Sequence, residues 1–218
     1  MVLICGIEEA GRGPVIGPMV MVGLCIDSSS EKKLIEIGVK DSKLLTPKQR
    51  EGLFDKILDI SKKHKITVIS PSEIDDALND PDMNLNLLEA KTSAAFIDFL
   101  KPEKVILDCP SNNIRAYTNQ VRQFLNNKDI EIIAEHKADV NHPVVSAASI
   151  IAKVTRDKEI EKIHKKIKID FGSGYPSDPR TVEFLEKNWS KYPNIFRKTW
   201  ESYKRYAAGK SQKKLVDF

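Results

Sequence analysis

"VLICGIEEAGRGPVIGPMVMVGLCI", residues 2–26, contains two apolar, β-branched runs with no helix-length segment between them. Runs of this kind, broken by glycine, predict strands at 2–7 and 15–26 that pair as a hairpin. The loop between them carries "EEAGRGP", so Glu8 and Glu9 stand at a strand end beside a turn that Gly11 and Gly13 leave bare. Downstream the pattern changes. "TPKQREGLFDKILDISKKHK" (46–65) opens with Thr46 as N-cap, Pro47 at the first helical position and Gln49 completing a capping box, which predicts a helix. "KITVIS" (65–70) reads as a strand, Ser72 as the cap of a short helix, and "LNLLEAKTSAAFIDFL" (85–100) as a longer helix stopped by Pro102. Then come a strand "KVILDC" (104–109) ending in Asp108, a helix "NIRAYTNQVRQFLNN" (113–127) and a strand "IEIIAEH" (130–136). A β–β–α–β–α–α–β–α–β–α order predicts an α/β fold with a mixed five-stranded sheet flanked by helices, not a purely parallel one.

Beyond residue 141 the chain reads as mostly helical. Val144, Ala147, Ala148, Ile151 and Val154 repeat at helical spacing, so one face of a helix over about 141–168 is buried, and its "SAAS" centre allows close approach to the sheet. "DFGSGYPSDPRT" (170–181) is a loop set by glycines and prolines, followed by helices near 181–187 and 196–207. Phe196, Trp200 and Tyr203 fall at i, i+4 and i+7 and read as core of the last helix.

With 218 residues, 30% charged and 41% hydrophobic, the chain can bury one sizeable core, and nothing in it suggests disorder. No run approaches a membrane span and "MVLICG" lacks the basic start of a secretory signal, so a cytoplasmic location is expected. Cys5, Cys25 and Cys109 are odd in number and widely spaced, which offers neither a disulfide framework nor a zinc pair. There is no HExxH and no GxSxG, which sets aside metalloprotease and serine-hydrolase chemistry. Residues 190–214 hold eight Lys/Arg against the single acid Glu201, a local +7 in a chain of net charge +4. That basic end suits a phosphate backbone, although such runs are also found as solvated helix faces.

Four acids fall where loops leave strands: Glu8 and Glu9, Asp108, and Asp139 in "HKAD". Sites in open α/β sheets form at strand ends, so the four can converge. Two carboxylates about 4 Å apart repel by about 4 kcal/mol at an effective dielectric near 20, unless protons or cations intervene. Magnesium or manganese held by oxygen ligands alone suits phosphoryl transfer, with paired ions. Singly, each acid more often caps a helix or faces solvent; the adjacent pair before "AGRG" tips the balance. "AGRGP" lacks the GK[ST] ending of a phosphate-binding loop, but its glycines expose backbone groups and Arg12 adds a charged fork.

Taken together, "GIEEAGRGPVIGPMV" (6–20), "VKDSKLLTP" (39–47), "HKAD" (136–139) with "PVVSAASIIAKVTRD" (143–157), and "GSGYPSDPRT" (172–181) resemble ribonuclease HII, most closely its archaeal form. The resemblance covers nearly the whole chain. It implies a ribonuclease H-like catalytic domain at 1–175, a helical C-terminal extension at 176–211 packed on it, and a tail at 212–218. It also implies two-metal cleavage of the RNA strand of RNA–DNA hybrids, and of single ribonucleotides in duplex DNA, leaving 3′-hydroxyl and 5′-phosphate ends. Glu8, Glu9, Asp108 and Asp139 are then the catalytic metal ligands. Gly11, Arg12 and Gly13 read the 2′-hydroxyl, Tyr175 packs on the adjoining sugar, and Lys43, Lys153 and Arg156 hold phosphates. Glu8 departs from the pattern, which has aspartate there, so metal preference or turnover should differ from the family's and Glu8→Asp should be as active or more active. The tail "QKKLVDF" resembles a sliding-clamp box, with Gln212, Leu215 and Phe218 as its anchors. The rival expectations are another ribonuclease H-like nuclease, such as a junction resolvase, and a clamp-associated hybrid-binding protein impaired at Glu8.

Overall fold

The computed structural model describes residues 2–213, with side chains as far as 208. In chain order its elements are β1 (Leu3–Ala10), β2 (Met19–Asp27), α1 (Glu31–Glu36), α2 (Pro47–Ile60), β3 (Lys63–Ile69), α3 (Pro71–Leu78) and α4 (Leu85–Leu100). They continue with β4 (Lys104–Asp108), α5 (Ile114–Phe124), β5 (Glu131–Glu135), α6 (Ala138–Asn141), α7 (Pro143–Ile167), α8 (Pro179–Asn188) and α9 (Glu201–Lys213). Two compact units share the chain. One gathers residues up to 10, 20–68 and 84–155; the other gathers 11–19, 69–83 and residues from 156 on.

The first unit is built on a five-stranded sheet in the order β3-β2-β1-β4-β5. β1 runs antiparallel to β2 from Leu3↔Asp27 to Ala10↔Val20 and parallel to β4 from Ile4↔Lys104 to Ile7↔Leu107. β4 is parallel to β5, with Asp108 opposite Glu135. This is the mixed sheet expected from two strands in direct succession followed by helical crossovers. Val20, Val22, Leu24 and Ile26 of β2 join Leu53 and Ile57 of α2 and Val144, Ala147, Ala148 and Ile151 of α7 in one core. On the opposite face Gly23 lies against Phe96 and Leu100 of α4. Gly6, at the centre of β1, lets α7 come close: a Cβ there would stand 2.6 Å from the Val144 carbonyl carbon and oxygen.

The second unit has an aromatic core of Phe171, Phe184, Phe196 and Tyr203 around Val15 and Ile16, with Phe184 and Phe196 ring centroids 6.0 Å apart. Its glycine-bearing turn, Gly11 to Met19, is tied to the C-terminal chain by an isolated Ile16–Phe196 bridge.

Several boundaries differ from the sequence reading. β1 runs on through Glu8 and Glu9, which pair with Val22 and Met21, so both acids belong to the strand and not to the loop. β2 starts only at Met19, because Gly17 at φ 85° and Pro18, which has no N–H, interrupt the ladder. The cap of α3 is Ser70 and not Ser72: Pro71 fills the first helical position and Glu73 completes a capping box with Ser70. α9 begins at Glu201, so Phe196 and Trp200 precede it; Phe196 is extended, at φ −97° and ψ 144°, and pairs with Ile16. The short α1 and α6 had no counterpart in the reading. The α2 capping box is as expected, with Thr46 accepting from the Gln49 N–H and Gln49 accepting from the Thr46 N–H.

Gly52 lies within α2 with nothing within 4 Å of the position its Cβ would take. Gly52→Ala is expected to stabilise the protein by about 0.5–1 kcal/mol, seen as a rise of about 1–4 °C in melting temperature; a lower one would contradict it.

Candidate active site

Parallel pairing brings the C-terminal ends of β1 and β4 side by side, and Glu8 and Asp108 each follow directly on the Ile7–Leu107 pair. Strand alternation then separates the two glutamates. Glu8 shares the α7 side of the sheet with Gly6, while Glu9 points to the other side, where its charge acts on Tyr117 and Cys109. The adjacent acids therefore straddle the strand end.

Glu8 is 7% exposed and its Oε2 has no hydrogen-bond partner. Burial, and then the charges of Glu9 and Asp108, push its pKa well above the usual glutamate range, against the opposing pull of Lys153. Asp108 is hydrogen-bonded to Glu8, and its Oδ1 accepts the Ala138 N–H at 2.7 Å, so it also caps α6. Burial raises its pKa, with Asp139 adding to the effect and the Ala138 N–H working against it.

Asp139 sits in the first turn of α6 and is 2% exposed. Its carbonyl accepts from Ser146 Oγ, its Oδ2 lies 3.3 Å from Lys43 Nζ, and its Oδ1 is buried without a partner. Lys153 Nζ donates to Ser149 Oγ at 2.8 Å, which lies 3.0 Å from Ser42 Oγ. Burial lowers the Lys153 pKa, while Glu8 and Asp139 oppose the shift. For Lys43 burial acts in the same direction, but Asp139 outweighs it and raises the pKa. Both lysines, expected on phosphates, thus stand among the acids and offset their charge.

Gly11, Gly13 and Tyr175, assigned to the sugar, and Arg156, assigned to a phosphate, come together in the second unit. Gly11 has φ 80°, and Arg156 occupies the space beside it: a Cβ at Gly11 would fall 2.3 Å from Arg156 Nε. The Arg156 guanidinium lies over the Tyr175 ring, 5.5 Å from its centroid, and is buried with Nε and Nη2 lacking hydrogen-bond partners. Tyr175 is 39% exposed, and its Cε1 would be 3.6 Å from a Cβ on Gly13. Leu215, Phe218 and the side chain of Gln212 lie outside the described residues.

Sequence reasoning passed over Arg197, whose guanidinium donates to the carbonyls of Gly11, Arg12 and Gly17. An arginine set among aromatics in "IFRKTW" (195–200) was the available signal.

Among the described residues no three Asp, Glu, His or Cys side chains are already gathered as ligands of one ion. The donor set nevertheless fits a hard divalent cation. It offers only oxygens, and Glu8 Oε2 and Asp139 Oδ1 are buried carboxylate atoms without a hydrogen-bond partner. No helix among the described residues is long and apolar enough to cross a membrane.

A mixed sheet in this order, with carboxylates at the ends of β1 and β4 and just beyond β5, places the protein among the ribonuclease H-like nucleases. Within that class the chain belongs to the ribonuclease HII family, whose profile, described as Ribonuclease HII, matches residues 5–203. Ribonuclease HII of Pyrococcus furiosus is 45% identical over 222 residues, covering 98% of this chain and 96% of its own. The crystal structure of ribonuclease H2 from Pyrococcus horikoshii OT3 aligns with a TM-score of 0.84 at 44% identity, over 94% of this chain and 96% of that one. The structure of the PCNA:RNase HII complex from Archaeoglobus fulgidus aligns with a TM-score of 0.81 at 37% identity, over 93% and 96%. The protein is a type 2 ribonuclease H of the archaeal kind, and an endonuclease.

Proposed function

We infer that the chain cuts the RNA strand of RNA–DNA hybrids, and duplex DNA on the 5′ side of a single embedded ribonucleotide, leaving 3′-hydroxyl and 5′-phosphate ends. The observation that carries this is the acid group of buried Glu8 and Asp139 with half-buried Asp108, a group with two unpartnered carboxylate oxygens, in a chain of the ribonuclease HII family. Glu8, Glu9, Asp108 and Asp139 would hold magnesium or manganese. Two such ions, when bound, supply an activated water and neutralise charge on the phosphate. The protein's own share is positional. The Ala138 N–H holds Asp108, Ser146 holds the carbonyl of Asp139, and Lys43 and Lys153 balance the acids' charge.

The exposed edge of Gly13 beside Tyr175 supports a sugar-reading role for the turn, since a 2′-hydroxyl both donates and accepts and suits backbone groups. Arg156 lies against that turn and carries the charge for an adjoining phosphate. We assign catalysis to residues 1–175 with 176–211 as a helical extension. The Archaeoglobus relative is solved with PCNA, which supports a clamp as the partner of Gln212, Leu215 and Phe218 here.

The test is a labelled duplex with one ribonucleotide, incubated with magnesium or manganese beside its all-deoxy twin. A single cut 5′ to the ribonucleotide, and none in the twin, is expected. Equal cutting of both would overturn the proposal.

A further inference from the structure

We propose that Arg197 and Trp200 are positioning residues for sugar discrimination: they lock the backbone of the Gly11–Gly13 turn and so set how strongly the protein prefers a ribonucleotide over a deoxynucleotide. The inference rests on the reading of that turn as the ribose sensor.

Arg197 is 0% exposed and all three of its guanidinium nitrogens are spent on backbone carbonyls. Nη2 donates to Gly11 O at 2.6 Å, Nη1 to Arg12 O at 2.8 Å and Nε to Gly17 O at 3.0 Å. Trp200 Nε1 donates to Gly13 O at 3.1 Å, and its ring lies under the guanidinium, 4.8 Å from Cζ to the centroid. Each carbonyl from Gly11 to Gly13 is therefore held by one of these two side chains. Because a trans peptide is planar, fixing a carbonyl also fixes the N–H of the next residue, on the opposite side. The N–H groups of Arg12 and Gly13 are thus aimed away from Arg197 and Trp200. The charged guanidinium makes the three Arg197 bonds stronger than neutral pairs.

The holding segment is itself held. Asp75 Oδ2 accepts the Lys198 N–H at 2.8 Å, and its Oδ1 accepts the Thr199 N–H at 2.9 Å and the Thr199 hydroxyl at 2.7 Å. The Arg197 N–H bonds Val15 O and the Gly17 N–H bonds Ile195 O, both at 2.9 Å. A turn with two glycines and φ 80° at Gly11 has many alternative conformations, which this frame removes. Pre-placed backbone groups are what recognition of one hydroxyl needs, because ordering them at the moment of binding weakens it.

The experiment compares binding of two labelled duplexes that differ by one 2′-hydroxyl, with calcium in place of magnesium, for full-length wild type, Trp200→Phe, Arg197→Lys and Gly13→Ala. Trp200→Phe removes the indole N–H and part of the bicyclic ring, and keeps an aromatic ring. It is expected to cut the preference for the ribonucleotide duplex about fivefold, the effect of one hydrogen bond, with all-deoxy affinity unchanged. Arg197→Lys keeps the charge and loses the fork, and should cut the preference by about tenfold or more. Gly13→Ala tests the turn itself, since its methyl has room at 3.6 Å from Tyr175 Cε1 and occupies the edge assigned to the sugar. Preference lost in Gly13→Ala but intact in Trp200→Phe would overturn the positioning role and leave the ribose reading standing. Preference intact in all the variants would overturn both. Equal weakening toward the two duplexes in Trp200→Phe would mark a general structural role and also overturn it. Should Arg197→Lys fail to fold, Trp200→Phe decides alone.

Discussion

Glu8→Gln is expected to lower cleavage of a single-ribonucleotide duplex by on the order of 10³-fold, the cost of several kcal/mol of transition-state charge stabilisation. The same variant should melt later than the parent when divalent cations are absent. Glu8 is buried, its Oε2 has no partner, and burial together with Glu9 and Asp108 raises its pKa. The folded protein therefore holds this proton more tightly than the unfolded chain does. Stability from this group is fully present below about 4.5, the ordinary glutamate value, and is lost as pH rises from there through the folded-state value. Glutamine has no proton to lose. The gap in melting temperature between variant and parent should open above pH 4.5, by about 2–4 °C for each kcal/mol of repulsion removed. Added magnesium or manganese should reverse the order, because a ligand stabilises only the protein that binds it. Glu8→Asp keeps the carboxylate and should cleave at least as well as the parent. Thermal melts at pH 5 and pH 8 with and without cation, beside rates for both variants, test this. A Glu8→Gln protein less stable than the parent at pH 8 without cation, or a Glu8→Asp protein inactive in both metals, would refute it.

Gly6→Ala should be among the most damaging single methyls the chain can receive. The added carbon would lie 2.6 Å from the Val144 carbonyl carbon and oxygen and 2.8 Å from the Val145 nitrogen. These are backbone atoms at the start of α7, so no side chain can rotate out of the way, and either the helix or β1 must move. The cost is about 3 kcal/mol or more, the upper end of overpacking, or about 6–12 °C in melting temperature. Activity should fall as well, because Ser146, in the first turn of α7, bonds the Asp139 carbonyl, and the displaced strand carries Glu8 two residues on. Calorimetry and rate measurements check both halves. An unchanged melting temperature would show that α7 does not approach the sheet this closely.

What was legible in the sequence was local. The Thr46–Gln49 capping box lies within four residues and needs nothing else to form. The hairpin of β1 and β2 followed from two apolar runs in succession, and the strand position of Asp108 from an apolar run ending in an acid. The Ser70 cap was missed although its signal was equally local: Pro71 marks the first helical position and Glu73 completes the box. The start of α9 was misread for a different reason. Phe196, Trp200 and Tyr203 have helical spacing, but Phe196 is held extended by Ile16, far back in the chain, and no local pattern carries that pairing. The four acids stood out as acids where strands end, and the family resemblance supplied their role, whereas the division of Glu8 and Glu9 between two faces of the sheet follows from strand alternation once β1 is known to run through Glu9. The aromatic setting of Arg197 was visible, but its partners were not, because they are carbonyls, which every residue has.

The bond from Arg197 to Gly11 spans 186 residues, and this has a consequence for a chain made from its N-terminus. At about 5–20 residues per second, about 10–40 s separate the synthesis of the turn from that of the arginine that fastens it. The acid-bearing elements β1, β4 and α6 are complete by residue 141 and await only α7, which ends at Ile167, to close their core. The nascent protein thus owns the acids we assign to cutting well before the part we assign to telling RNA from DNA, and that part is finished only when residues 197–200 leave the ribosome.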